Sequence, residues 1–208
     1  MNAAFVLYDN LTALDIVGPY EVLAGHSQVT PQFVAARAGK IRCDNGLALH
    51  ADFAFDDVTA PDLIVVPGSS QWRSALDDEV LIAWLASVHK TATWTTSVCS
   101  GSTLLAKAGI LAGRRATSHW AVVDTLAADG AVVCNERVVV DGDVITAAGV
   151  SAGIDMGLTL AAALFGEMAA RTIQLALEYD PEPPFDSGSP RTAPPEAVAF
   201  LRAALNGS

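Results

Sequence analysis

The run Thr95-Thr96-Ser97-Val98-Cys99-Ser100-Gly101-Ser102-Thr103-Leu104-Leu105-Ala106-Lys107 constrains the fold of this chain more than any other segment. A β-branched stretch suited to a strand meets Cys99, passes through small residues and becomes an amphipathic helix. Ser97 and Gly101 stand two residues before and two after Cys99, which is the spacing of a nucleophile elbow. A strand-to-helix turn that sharp tolerates only small neighbours, and it presents its central side chain over the N-terminus of the following helix. The free N–H groups and the helix dipole at that end favour a thiolate.

The remaining segments alternate in the way a parallel sheet with covering helices requires. A strand is expected over about 2–8, a helix over 12–25 and a strand over 32–37. Asp62-Leu63-Ile64-Val65-Val66 is an apolar run that stops at Pro67-Gly68, as a buried central strand does. Asp77, Asp78 and Glu79 lead a helix over 78–89, and the strand at 92–98 then delivers Cys99. After the helix at 101–109, Gly109 and Gly113 break the chain, and a further helix ends near residue 128. Two β runs flank Asp141-Gly142, which predicts a hairpin over 137–146, and helices follow over 151–165 and 167–178.

The prolines between Asp180 and Pro190 forbid helix and central strand alike, because each removes a donor and fixes φ. The expectation is one domain over 1–208, with 180–208 a Pro-rich wrapping tail that ends in a short helix over 194–205. Phe185 is expected to anchor that tail on its own domain or on a partner subunit.

Composition removes several function classes. With 51% hydrophobic and 17% charged residues, the chain can bury a sizeable core. Its net charge of −11, from 23 acidic and 12 basic residues, repels phosphate backbones, so no nucleic-acid partner is expected. No apolar run reaches about 18 residues, and the first residues already read as a strand. The reading is therefore cytoplasmic, without a signal peptide or a membrane partner. Cys43, Cys99 and Cys134 lack metal-ligand spacing, and an odd number argues against a disulfide scaffold. Cys43 and Cys134 have no activating context and read as structural.

A thiolate nucleophile needs a group to manage its proton, and Cys99 has none beside it in sequence. Asp15, just after the first strand, is the candidate, because loops that follow neighbouring parallel strands converge at one sheet edge. Thr12-x-x-Asp15 also fits a capping box at a helix start, and physical argument alone leaves the two readings even. Gly18-Pro19 is an unusual pair for a helix interior and indicates that geometry is demanding there.

Leu14-Asp15-Ile16-Val17-Gly18-Pro19, Val65-Val66-Pro67-Gly68, the elbow at 97–102, Arg115-Ala116-Thr117-Ser118-His119-Trp120-Ala121, Asn135-Glu136-Arg137-Val138-Val139 and Ala152-Gly153-Ile154-Asp155 together resemble the DJ-1/PfpI superfamily. The stretch from Gln174 to Phe185, with Gly188-Ser189-Pro190 after it, is similar to the isonitrile hydratases within that superfamily. The resemblance covers roughly residues 3–195. It implies a flavodoxin-like three-layer α/β sandwich, usually a homodimer, acting on a small molecule with no cofactor and no metal.

By the same resemblance Cys99 is the nucleophile, Asp15 hydrogen-bonds it, and Ser100 contributes a hydroxyl and a backbone N–H. The implied reaction hydrates an organic isonitrile to an N-substituted formamide. Ser100 stands where hydratases commonly carry threonine, and Ser69 stands where a second glycine usually follows Gly68. Gly68 is expected to supply an oxyanion donor, with Ser69 altering the backbone of that loop. His119, next to Trp120, lines the pocket or bonds a backbone carbonyl, with proton transfer to Cys99 as the alternative. Trp72 walls the substrate site or lies exposed at a dimer contact. Asp155 suits a helix dipole, and His26, His50 and His89 suit the surface or helix ends. Two other readings remain: glyoxalase-like or deglycase-like cysteine chemistry, and a ligand-sensing domain of the kind fused to helix-turn-helix regulators.

Overall fold

The computed structural model describes the backbone of residues 1–206 and side chains through residue 204. The chain order is β1 (Asn2–Val6), α1 (Ala13–Leu23), β2 (Thr30–Ala35), β3 (Gly39–Arg42), β4 (Ala48–Ala51), β5 (Phe53–Ala54) and β6 (Leu63–Val66). It continues with α2 (Trp72–Ala75), α3 (Glu79–Val88), β7 (Trp94–Val98), α4 (Gly101–Lys107), β8 (Arg115–Ala116), β9 (Val132–Val133), β10 (Val138–Asp141) and β11 (Val144–Ala147). The helices α5 (Ala152–Phe165), α6 (Glu167–Ala176) and α7 (Pro195–Asn206) close it.

Seven strands form one sheet in the order β10-β11-β7-β6-β1-β2-β5. Only β10 runs antiparallel, joined to β11 by the turn at Asp141-Gly142, as the hairpin signal predicted. Counted in chain order, the parallel strands β2-β1-β6-β7-β11 give 2-1-3-4-5, the flavodoxin-like arrangement. Helix α1 packs on α5, and α5 on α6, in one layer; α3 packs on α4 in the other. The short antiparallel pair β3–β4 and the two-residue pair β8–β9 lie outside the main sheet.

The central strands are buried on both faces, which is why β6 reads as an unbroken apolar run. In β7 the hydroxyl-bearing Thr95, Thr96 and Ser97 are buried as well, and Thr96 Oγ1 donates to the Ile64 carbonyl at 2.9 Å. Asp78 caps α3 by accepting the Leu81 N–H at 3.0 Å. The α1–α5 contact is close enough that a Cβ on Gly157 would come within 2.9 Å of Val22 Cβ, and one on Gly18 within 3.2 Å of Ile154 Cγ1. The glycine in Gly18-Pro19 therefore serves helix-helix approach.

Three expectations need correction. The helix anticipated up to residue 128 is 3-10 over Val123–Asp129. Thr12 makes no capping box, since its hydroxyl donates to Asp44 Oδ2 at 2.7 Å and no side chain caps α1. Phe185 is 77% exposed, so it does not anchor the tail on its own chain. No helix among the described residues is long and apolar enough to cross a membrane.

Candidate active site

The C-terminal ends of β1, β6 and β7 meet at the switch point of the sheet, and each contributes one loop. The loop after β7 is the elbow. Cys99 sits there at φ +58°, a left-handed conformation that costs a non-glycine residue on the order of 1 kcal/mol or more. Its surroundings over-determine that conformation. The Cys99 N–H donates to the Ala148 carbonyl at 2.8 Å, and its carbonyl accepts from Ser118 Oγ at 2.9 Å and the His119 N–H at 3.3 Å.

The loop after β6 presses on the elbow. A Cβ on Gly68 would lie 2.5 Å from the Ser100 nitrogen, and one on Gly101 would overlap the Val66 carbonyl, so neither position admits a side chain. Ser100 Oγ accepts the Ser69 N–H at 2.9 Å and donates to the Ser69 carbonyl at 3.0 Å. Ser69 Oγ donates to the Asn10 carbonyl at 2.7 Å and accepts the Gln71 N–H at 2.9 Å. Ser69 is absent from the residues with positive φ, so its side chain is used rather than strained. The Ser100 hydroxyl proton goes to Ser69, and that hydroxyl splices two loops.

Asp15, in the first turn of α1, is fully buried. Its Oδ2 accepts the Gly68 N–H at 2.8 Å. Gly68 therefore spends on the carboxyl the donor that was expected to serve as an oxyanion contact. Oδ1 is buried with no donor in hydrogen-bond geometry, while the Cys99 thiol stands close enough to favour the charged form. Burial, aided by the charge of Asp44, pushes Asp15 up to about 7 against the pull of Gly68 and Cys99.

Burial also pushes the Cys99 thiol well above its ordinary value, and the Asp15 charge adds to that. The backbone N–H groups of Ser100 and Val150 work the other way, stabilising the thiolate. The N–H groups at the helix end favour the thiolate, as the sequence predicts, and desolvation opposes them. Cys99 and Asp15 form a coupled pair that gives up its first proton near neutrality.

A cleft of about 780 Å³ opens beside the elbow. Ser118 and His119, which hold the Cys99 carbonyl, form its inner wall with Gly149 and Val150, and Gly188 to Arg191 of the tail close its rim. The His119 ring lies against the Gly149 backbone, and its Nδ1 accepts the Ala121 N–H at 3.3 Å. Burial lowers the His119 pKa, so the ring is neutral. Its bond to Cys99 comes from the backbone, in keeping with a lining role.

Trp72 is only 8% exposed, at the start of α2 with the Arg73 guanidinium 4.5 Å over its ring, so it is neither an exposed contact nor part of the cleft wall. Asp155 lies in the first turn of α5, where the helix dipole favours it, and its Oδ2 also accepts Arg137 Nε at 2.7 Å. The sequence reading missed Tyr8, Ser118 and Val150, which meet the site only through the fold. Among the described residues, no three His, Cys, Asp or Glu side chains are grouped so as to hold a metal ion.

The sequence profile of the DJ-1/PfpI family matches residues 1–163. The chain belongs to the DJ-1/PfpI family. It is 42% identical over 202 residues to an isonitrile hydratase of Pseudomonas putida, a match spanning 97% of this chain and 89% of that one. It is 33% identical over 140 residues to the HTH-type transcriptional regulator CdhR of Pseudomonas aeruginosa, covering 66% of this chain and 41% of the regulator. Among solved structures, a ThiJ/PfpI family protein from Pseudomonas syringae superposes with a TM-score of 0.92 at 36% identity, covering 99% of this chain and 89% of the other.

Proposed function

We propose that the protein hydrates an organic isonitrile to an N-substituted formamide, with Cys99 as nucleophile and Asp15 as proton carrier. The observation that carries this reading is the buried Asp15, brought to about 7 with Oδ1 unpartnered beside the thiol. A carboxyl held that way exchanges a proton near neutral pH, whereas an exposed one is a fixed anion. The 42% identity to an isonitrile hydratase along nearly the whole chain supports the choice of reaction.

In the reactive state the pair holds one proton. Asp15, a carboxylate in that state, takes the thiol proton as Sγ bonds to the terminal carbon of the isonitrile and delivers it to the same carbon, leaving a thioimidate and an Asp15 carboxylate. Water then adds to the thioimidate carbon as Asp15 takes a proton from it and passes one to nitrogen. As the C–S bond breaks, the electron pair returns to sulfur and the hydroxyl proton goes to Asp15, releasing the formamide. The Ser100 and Val150 N–H groups steady sulfur as it departs, and Gly68 keeps Asp15 in place. No step needs a cofactor, and His119 lines the cleft.

The chain is read as one domain that works as a homodimer. The apolar side chains left exposed on α6, the tail and α7, among them Met168, Leu175, Phe185 and Phe200, are what a second copy would cover. The similarity to the regulator CdhR favours a second reading, ligand sensing in the cleft without turnover. Incubating the purified protein with cyclohexyl isocyanide separates the two. Appearance of the formamide, abolished by Cys99→Ala, supports hydration; saturable binding with no product supports sensing.

A further inference from the structure

The peptide unit between Pro67 and Gly68 is gripped at both ends by side chains. Its carbonyl accepts the Tyr8 hydroxyl at 2.8 Å, and its N–H donates to Asp15 Oδ2 at 2.8 Å. Both bonds are buried. Because the unit is planar and its C=O and N–H point in opposite directions, holding the oxygen aims the hydrogen. A carbonyl that accepts a hydrogen bond also makes its own N–H a stronger donor, by about 10–30%.

The neighbouring units of the loop are held by other partners. The Gly68 carbonyl accepts the Thr12 N–H at 2.8 Å, and the Ser69 N–H goes to Ser100 Oγ. The bare Cα of Gly68 already lies against Ser100, so the peptide has no room to rotate toward the elbow. Among the described residues, Tyr8 is thus the one side chain whose grip on this loop passes through a single peptide to Asp15.

We propose that Tyr8 is a positioning residue for Asp15, acting through the Pro67–Gly68 peptide to set the proton affinity of the carboxyl that serves Cys99. The proposal rests on the reading of Asp15 as proton carrier. The charged and titratable groups that face Asp15 are Tyr8 from the end of β1, Asp44 from the β3–β4 turn and Cys99 from the elbow. No cation is paired with it among the described residues, so the Gly68 N–H is the main group stabilising its charged form. Tyr8 itself remains a neutral donor, since burial and then the charges of Asp15, Cys99 and Asp44 keep its proton on. Its removal should therefore weaken the Gly68 bond and raise the Asp15 pKa further.

The test is the titration of the Asp15 carboxyl carbon by NMR in the full chain, which needs no turnover. Tyr8→Phe keeps the ring and removes the grip. The titration midpoint is expected to move above its unsubstituted position, and the rising limb of the kcat/KM profile to move with it while kcat/KM falls roughly 3- to 10-fold, the size of one hydrogen bond. Site-specific 3-fluorotyrosine at position 8 preserves packing, makes the phenol a stronger donor, and should move the midpoint down. Opposite shifts support the proposal. An unchanged midpoint in a folded Tyr8→Phe protein overturns it; if that variant fails to fold, a midpoint that stays or rises with fluorotyrosine does so instead. If the unsubstituted protein turns over no isonitrile, the functional reading fails while the titration still decides the role of Tyr8.

Discussion

The Gly68 N–H donates to Asp15 Oδ2 at 2.8 Å, joining the loop after β6 to the first turn of α1 across the switch point of the sheet. That bond settles two matters at once. It commits the Gly68 donor to the carboxyl, and it orients Asp15 so that Oδ1 is left without a protein donor next to Cys99.

Asp15→Asn keeps an acceptor for Gly68 and removes the exchangeable proton. Turnover is expected to fall by at least about 100-fold, the scale of general acid–base catalysis. Steady-state kinetics on the purified variant, with circular dichroism to verify folding, measures this. Full activity in a less stable protein would return Asp15 to a structural role.

The same variant makes a stability prediction with a definite sign. The folded pKa of Asp15 is raised from 3.8 to about 7, so the contribution of this group is present below pH 4 and is lost as pH rises through 7. The loss is about 4 kcal/mol. Asparagine does not titrate. The Tm of Asp15→Asn relative to the unsubstituted protein should therefore climb between pH 5 and pH 8, as differential scanning calorimetry would show.

The kcat/KM profile should rise with pH through a limb near 7, because the fully protonated pair lacks a base to draw the proton from the thiol and the singly protonated pair has one in Asp15. In Asp15→Asn that limb should vanish or move well upward, since burial still raises the Cys99 thiol. A profile that is flat from pH 5 to 8 in the unsubstituted protein contradicts the shared-proton account.

Gly68→Ala places a methyl 2.5 Å from the Ser100 nitrogen and 3.0 Å from Cys99 Cβ, both parts of a strained and fully packed turn. Overpacking of this kind costs about 1–3 kcal/mol. Thermal unfolding should show a Tm lower by several degrees, and activity should fall with it, because the shifted loop withdraws the bond to Asp15.

Ser100→Ala removes both hydroxyl bonds to Ser69 and leaves a buried N–H and carbonyl without partners. A loss of about 1–3 kcal/mol is expected. Ser100→Thr retains the hydroxyl and should recover most of the stability, which denaturant titration of the two variants would compare.

Much of this site was legible in the sequence, and the parts that were not share a cause. The elbow was readable because small residues around Cys99 are a local steric requirement, and β6 because burial on two faces needs an unbroken apolar run. Asp15 remained ambiguous between capping and chemistry. Its deciding contacts, Gly68 and Cys99, lie far away in sequence, and so does Asp44, the partner that draws Thr12 away from the cap. The desolvation of Cys99 was illegible for a similar reason. The helix end is a local feature, whereas the burial and the Asp15 charge that outweigh it exist only in the folded chain. Tyr8 and Val150 carry no motif, and of the two places expected for Phe185, its own domain or a partner subunit, the fold removes the first.

The central claim is that Cys99 carries the substrate carbon during turnover. Rapid acid quench of the protein with cyclohexyl isocyanide, followed by intact-mass and peptide mass spectrometry, tests it most directly. The account predicts an adduct on the peptide containing Cys99, equal in mass to one isonitrile, that appears before the formamide and is absent from Cys99→Ala. Formamide production at full rate with no mass change on Cys99, or with Cys99→Ala still active, would contradict it.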